Sequence, residues 1–193
     1  IQSLSLYSKT KVNSENFILN TKNSSFEPCI LRFATAHGLS PRMRFDLLLQ
    51  EFLRDAIIDK KIKIYGPNFW RPLAHVDDIS NACITAIKSS KDVISGEIYN
   101  VGHTKENYTK KMLAETIQEF VPSTEIEIME SKTDLRTYKV LFDKIKNNLK
   151  FISKKTIRDS ISDILTEIEK GSLDPKASEF SNISKLTERV RAF

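Results

Sequence analysis

Hydrophobic residues in this chain switch repeatedly from helical stripes to short extended runs and back, and that alternation restricts the fold more than any other feature. Leu47, Leu48, Phe52, Leu53 and Ile57 recur at the spacing of one helix face, with Asp46 placed to cap it. A second stripe runs through Ile79, Ala82, Cys83, Ala86 and Ile87, with Asp77 or Asp78 at its start. A third, Met112, Leu113, Ile117 and Phe120, is introduced by Thr109 and stopped by Pro122. Ile157, Ile161, Ile164, Leu165 and Ile168 form a fourth, closed by Gly171. Between them lie β-type runs at 29–33, 62–65, 97–101, 126–129 and 140–142. The pattern predicts an α/β layer architecture with a partly parallel sheet. Residues 172–193 lose the stripe and read as a peripheral helix or a polar tail, and the chain has neither an internal repeat nor a low-complexity segment.

A chain of 193 residues, 40% hydrophobic, can bury one sizeable core and forms one domain or one plus a small lobe. Its net charge of +5 comes from 30 basic and 25 acidic residues mixed through the same segments, without the basic and aromatic interleaving of a nucleic-acid platform. That surface still leaves cations free to meet a diphosphate. Cys29 and Cys83 are far apart in apolar stretches and read as reduced, buried thiols, which places the chain in the cytoplasm by default. No stretch approaches the roughly 20 apolar residues of a membrane span, and the first residues lack signal-peptide order. His37 and His103 make no metal-ligand spacing with any cysteine or acid, so no metal is expected. The chain opens on Ile1 directly in a pattern-rich segment, and a missing upstream portion is expected.

Tyr7 and Lys11 stand four residues apart in a stretch with helical composition, Leu6-Tyr-Ser-Lys-Thr-Lys-Val-Asn-Ser-Glu15. On a helix both side chains leave the same face, which brings an ammonium beside a phenol. A fixed cation stabilises the phenolate and lowers a pKa that is otherwise near 10, so the pair can exchange a proton with a substrate hydroxyl. The same spacing also occurs on ordinary helical surfaces.

Further segments give the pair a context. Cys29-Ile-Leu-Arg-Phe-Ala-Thr-Ala-His-Gly-Leu-Ser-Pro41 is followed by Tyr65-Gly-Pro-Asn-Phe-Trp-Arg-Pro-Leu-Ala-His-Val-Asp-Asp78, then by Glu97-Ile-Tyr-Asn-Val-Gly102 and Asp134-Leu-Arg-Thr-Tyr138. Together with Tyr7-x-x-x-Lys11, these segments, in this order, resemble the extended short-chain dehydrogenase/reductases, in particular the NAD-dependent sugar-nucleotide epimerases and dehydratases. The resemblance covers residues 1 to about 170 and implies the carboxyl-terminal part of a Rossmann-like parallel sheet with a small α/β substrate-binding lobe, 171–193 being the tail.

The resemblance also implies a site. Tyr7 would transfer the proton and Lys11 would lower its pKa and hold the cofactor ribose, with Ala34 and His37 near the nicotinamide end of NAD or NADP. Arg71 and Arg136, with Arg44 less directly, would meet the diphosphate of a nucleoside-diphosphate sugar, because guanidinium groups suit phosphate oxygens. Thr35 stands where relatives carry a donating asparagine, and Tyr138 completes the substrate set. Other readings compete. Arg32 is better read as the partner of a helix carboxylate, and Arg71 is open to the same role. His75 reads as a satisfied structural histidine, Asp78 as a helix cap that braces the Arg71 loop, and Gly38 and Gly102 as turn residues.

The family's Gly-x-x-Gly-x-x-Gly turn finds no counterpart among glycines at 38, 66, 96, 102 and 171. Ser3 and Ser5 are too close to Tyr7 to act as the family's upstream Ser or Thr. The expectation is therefore part of an NAD(P)-dependent epimerase or dehydratase, missing the adenosine half-site. A nucleotide-sugar ketoreductase remains open. So does a non-catalytic remnant or a subunit that relies on a partner. Relatives dimerise through the helix bearing the Tyr and Lys, which implies a homodimer.

Overall fold

The computed structural model describes residues 6–130 and 137–182. In chain order the elements are α1 (Leu6–Asn20), β1 (Ile30–Phe33), β2 (Thr35–His37), α2 (Leu48–Ile58), β3 (Lys61–Tyr65), β4 (Trp70–His75), α3 (Val76–Lys88), the single turn α4 (Lys91–Ile94) and β5 (Ile98–Val101). A 3-10 turn, Thr104–Glu106, leads to β6 (Asn107–Thr109), α5 (Lys110–Phe120), β7 (Glu125–Met129), α6 (Asp143–Leu149), α7 (Ile157–Glu169) and a last 3-10 turn at Ser178–Phe180. Short strands and helices are interspersed along the chain, with β1 and β2, and β3 and β4, following one another directly.

Three of the four strand pairs are parallel. β1 runs parallel to β5 with Ile30 opposite Ile98, β3 parallel to β7 with Ile62 opposite Ile126, and β2 parallel to β4 with His37 opposite His75. The exception is β6, which lies antiparallel on β4 and places Tyr108 opposite Arg71.

Two apolar clusters hold these elements. In the larger, the inward stripes of α2 (Leu49, Leu53, Ala56), α5 (Leu113, Ala114, Ile117) and α7 (Ile157, Ile161, Ile164) meet Ile62 and Ile64 of β3 and Leu73 of β4. The smaller joins Tyr99 and Val101 of β5 to Ala82 and Ala86 of α3 and to Ile145 and Leu149 of α6. Fully burying one such aliphatic side chain contributes about 1.5–3 kcal/mol, so the three isoleucines of α7 anchor that helix firmly. Helix α1 is different: none of its residues is buried.

Several local expectations are corrected. Asp46 does not cap α2; the cap position is Leu47, without a side-chain bond, because both Asp46 oxygens are taken by Arg44. Asp78 lies inside α3 rather than at its cap, and the cap is His75, whose Nδ1 accepts from the Asp77 amide. Residues 140–142 form no strand; Asn107 of β6 pairs with the Val140 backbone through its side chain instead. The expected caps of α5 at Thr109 and the end of α7 just before Gly171 are as read. Residues 172–182 pack back on the sheet-bearing domain: Leu173 joins the larger core, Phe45 N–H donates to the Phe180 carbonyl at 2.9 Å, and the Asn182 amide donates to Asp46.

Candidate functional site

Helix α1 carries Tyr7 and Lys11 on one face, with Lys11 Nζ 5.7 Å from the centre of the Tyr7 ring. The phenol is 71% exposed. What ties the helix to the sheet is Glu15, which grips Arg32 of β1 through both carboxylate oxygens, Nε donating at 2.8 Å. Arg32 thus takes the structural role, and its guanidinium is held above its usual range first by that hydrogen bond.

From β1 the chain passes through Ala34, whose N–H donates to the Val101 carbonyl at 3.0 Å, into β2 with the half-buried Thr35. This crossing lies at the carboxyl ends of the parallel pair β1 and β5, the end at which open α/β sheets receive their ligands. His37 departs from its expected place. Its imidazole is fully buried, with Nδ1 2.7 Å from Ser160 Oγ of α7 and its ring edge-on to His75 at 5.5 Å. Burial, with His75 as a second cause, pushes its pKa down to about 3.

Of the expected arginines, Arg44 is half-buried and bound bidentately to Asp46, at 2.7 and 3.0 Å. Arg71 is nearly buried on β4 with Nη1 donating to the Trp70 carbonyl at 2.8 Å and its Cζ 5.8 Å from the ring centre of Tyr138. The structure therefore unites Tyr7 with Lys11 and Arg71 with Tyr138. Arg136 lies outside the described residues, as do Ser3, Ser5 and Asp134.

Beneath the β2, β4 and β6 sheet lies a polar arrangement the sequence did not announce. Asp78 of α3 accepts from Ser153 Oγ at 2.6 Å, from the Lys154 amide at 3.0 Å and from the Lys155 amide at 2.9 Å. Glu106, buried, accepts from the Ile157 amide at 3.1 Å and from the Tyr108 hydroxyl at 3.3 Å. Burial raises the Glu106 carboxyl above its ordinary range and pushes Tyr108 up to about 12. With His37 on Ser160, these side chains fasten residues 153–160 to the sheet that bears Thr35 and Arg71. One signal for Ser160 was available: it interrupts the apolar face of α7 beside Ile157 and Ile161. Glu106 gave none.

Among the described residues no group of three or more His, Cys, Asp and Glu side chains is arranged to hold a metal ion, and no helix is long and apolar enough to cross a membrane.

A family model described as "NAD dependent epimerase/dehydratase family" matches residues 1–102. Among solved structures, the dTDP-glucose 4,6-dehydratase of Bacillus anthracis in complex with NAD is similar with a TM-score of 0.75 at 24% identity, over 88% of this chain and 54% of its own. The UDP-glucose 4-epimerase of Thermotoga maritima with UDP-glucose has a TM-score of 0.75 at 18% identity, over 88% and 55%. The UDP-glucuronic acid 4-epimerase of Bacillus cereus, with UDP-glucuronic acid and NAD, has a TM-score of 0.73 at 22% identity, over 88% and 54%. At such identities the likeness is one of fold. This chain spans about half the length of each of these proteins.

Proposed function

Since this chain belongs to the NAD dependent epimerase/dehydratase family, we propose that it forms the substrate-gripping and proton-transferring part of an enzyme that acts on a nucleoside-diphosphate sugar. The reaction would be transient oxidation at a sugar hydroxyl, leading to epimerisation or dehydration; ketoreduction of a nucleotide sugar fits the same residues. The observation that carries this reading is the Tyr7 and Lys11 pair on one open helix face.

The residues present fit the nicotinamide end of NAD or NADP. Lys11 and Tyr7 offer an ammonium and a phenol to a ribose, and the backbone from Ala34 to His37 borders the carboxyl end of β1. A bound nicotinamide supplies hydride acceptance and return. No glycine cluster for the adenosine pyrophosphate exists in the chain, so that half-site falls to other residues. Tyr7 would exchange the proton of the sugar hydroxyl, accepting it on oxidation and returning it when the hydroxyl is restored, with the Lys11 ammonium on the same helix face. Arg71, set in a nearly buried position by β4, meets the diphosphate as a charge-assisted donor, and Arg136, Arg44 and Thr35 are assigned to the same ligand. Desolvation strengthens that grip relative to a surface arginine.

The competing reading, a non-catalytic remnant or a subunit completed by a partner, draws support from α1, which buries none of its residues and exposes Leu6 and Phe17 as well as Tyr7. The same side chains support self-association through α1. The full chain should bind UDP-glucose or dTDP-glucose, measured calorimetrically, with an affinity that falls as salt rises, and should show no tight NADH binding by fluorescence. Low-micromolar NADH binding would restore the complete cofactor site to this chain; failure to bind either sugar nucleotide would favour the remnant.

A further inference from the structure

We infer that Tyr138 is a positioning residue for Arg71: it sets the guanidinium from one side and does not itself grip the ligand. The inference rests on the reading of Arg71 as the diphosphate partner. Three consecutive residues, Thr137, Tyr138 and Lys139, dock on the two residues Trp70 and Arg71. The Trp70 amide donates to Thr137 Oγ1 at 3.0 Å, and the Tyr138 amide donates to the Trp70 carbonyl at 3.4 Å. That same carbonyl accepts from Arg71 Nη1 at 2.8 Å. The Tyr138 ring lies 5.8 Å from Arg71 Cζ, and Lys139 Nζ sits 3.5 Å from the centre of the Trp70 ring.

Two cation and ring contacts of opposite sense thus join the pairs: strand cation under strap ring, strap cation over strand ring. An arginine carries several freely rotating bonds, and a guanidinium that must meet a diphosphate loses affinity for every rotamer that misses it. The shared Trp70 carbonyl fixes one edge of the Arg71 fork, and the Tyr138 ring limits it from a second direction. The Tyr138 ring stays 49% exposed, while the arginine is nearly buried, so the ring lies toward solvent from the guanidinium it contacts. Neither the phenol hydroxyl nor its proton enters this role, which requires only a flat π face.

The test uses the full 193-residue chain with UDP and dTDP as probes and the variants Tyr138→Phe, Tyr138→Leu, Arg71→Met and Tyr138→Leu/Arg71→Met. Without ligand, the Arg71 Nε–H resonance should be displaced by the ring current in the wild type and in Tyr138→Phe, and should lose that displacement in Tyr138→Leu. Calorimetry should show Tyr138→Leu weakening the probes about two- to fivefold, Tyr138→Phe matching the wild type, and Tyr138→Leu adding nothing once Arg71 is Met. Equal losses from Tyr138→Leu in both backgrounds, or an Arg71 resonance indifferent to the ring, overturn the positioning role alone. Binding that Arg71→Met leaves unchanged, or no binding of either probe, overturns the diphosphate reading and this role with it.

Discussion

His37 Nδ1 and Ser160 Oγ lie 2.7 Å apart, and this one buried hydrogen bond connects β2 to α7 across the interior of the protein. Because burial holds the His37 pKa near 3 against an ordinary 6.5, the folded protein binds fewer protons here than the unfolded chain. The stability this represents is complete above about pH 6.5 and drains away as pH falls toward 3. Between pH 7 and 5 the loss should be about 2 kcal/mol. Urea titrations at the two pH values measure it, and His37→Gln should flatten the difference. An unchanged midpoint in the wild type would contradict the neutral, buried imidazole.

Glu106 has the opposite sign. Its carboxyl is raised by burial, so its contribution is present below the ordinary carboxylate range and is lost as pH rises through the folded pKa. Glu106→Gln keeps an acceptor for the Ile157 amide and removes the buried charge. The variant should melt higher than the wild type at pH 7, with the gap closing at pH 4. A gap that widens on acidification would mean that the charge itself stabilises α7.

Asp78 collects donors from three successive residues, Ser153, Lys154 and Lys155. Hydrogen bonds to a charged acceptor are worth about 1.5–3 kcal/mol each in net terms, and they are not additive. Asp78→Ala should therefore destabilise the protein by about 3 kcal/mol in urea, and Asp78→Asn, which retains one acceptor oxygen, by about half that. A loss in Asp78→Ala under about 1 kcal/mol would show that water replaces the carboxylate.

Gly38 adopts φ +113°, and a Cβ there would stand 2.5 Å from His75 Nε2. Gly38→Ala meets both the left-handed backbone penalty and a clash with a buried ring, together about 2–4 kcal/mol. Chemical denaturation reads this directly. The accompanying change should be lost protection of β2 amides from hydrogen exchange, because the ring can move only by disturbing its neighbour His37.

Tyr7→Phe should leave the melting temperature within the range of a neutral surface change, about 0.5 kcal/mol or less, since the side chain is 71% exposed. UDP affinity should also be unchanged. A clear thermal loss would show that the phenol serves the fold and would weaken its assignment to proton transfer.

What could be read beforehand followed how local the physics is. Thr109 capped α5 as expected because an N-cap bond reaches only three residues, to Met112. Asp46 was equally plausible as a cap but had a stronger partner two residues away in Arg44, and propensity cannot rank that competition. Strand β4 escaped notice because Pro72 sits within it, and a proline argues against a strand unless it lies where no N–H is needed. Helix α6 offers only Ile145 and Leu149 to the core, too few to show a stripe. The juxtaposition of Tyr7 and Lys11 was legible through their four-residue spacing on one helix. The inward turn of His37 was not, because its partner stands 123 residues further on.

That separation has a kinetic consequence. His37, Asp78 and Glu106 reach residues 153–160 across gaps of 123, 75 and 51 positions. Contacts of such range form late, since the loop entropy of each must be overcome before any of them rewards the chain. Helix α7, which carries Ile157 and Ser160, is held by two of these contacts. Until it docks, the faces of α5 and β4 that it covers stay open to water and to other nascent chains. The strand that holds Arg71 therefore acquires its final backing only when α7 docks, and folding yield should be most sensitive to changes in α7.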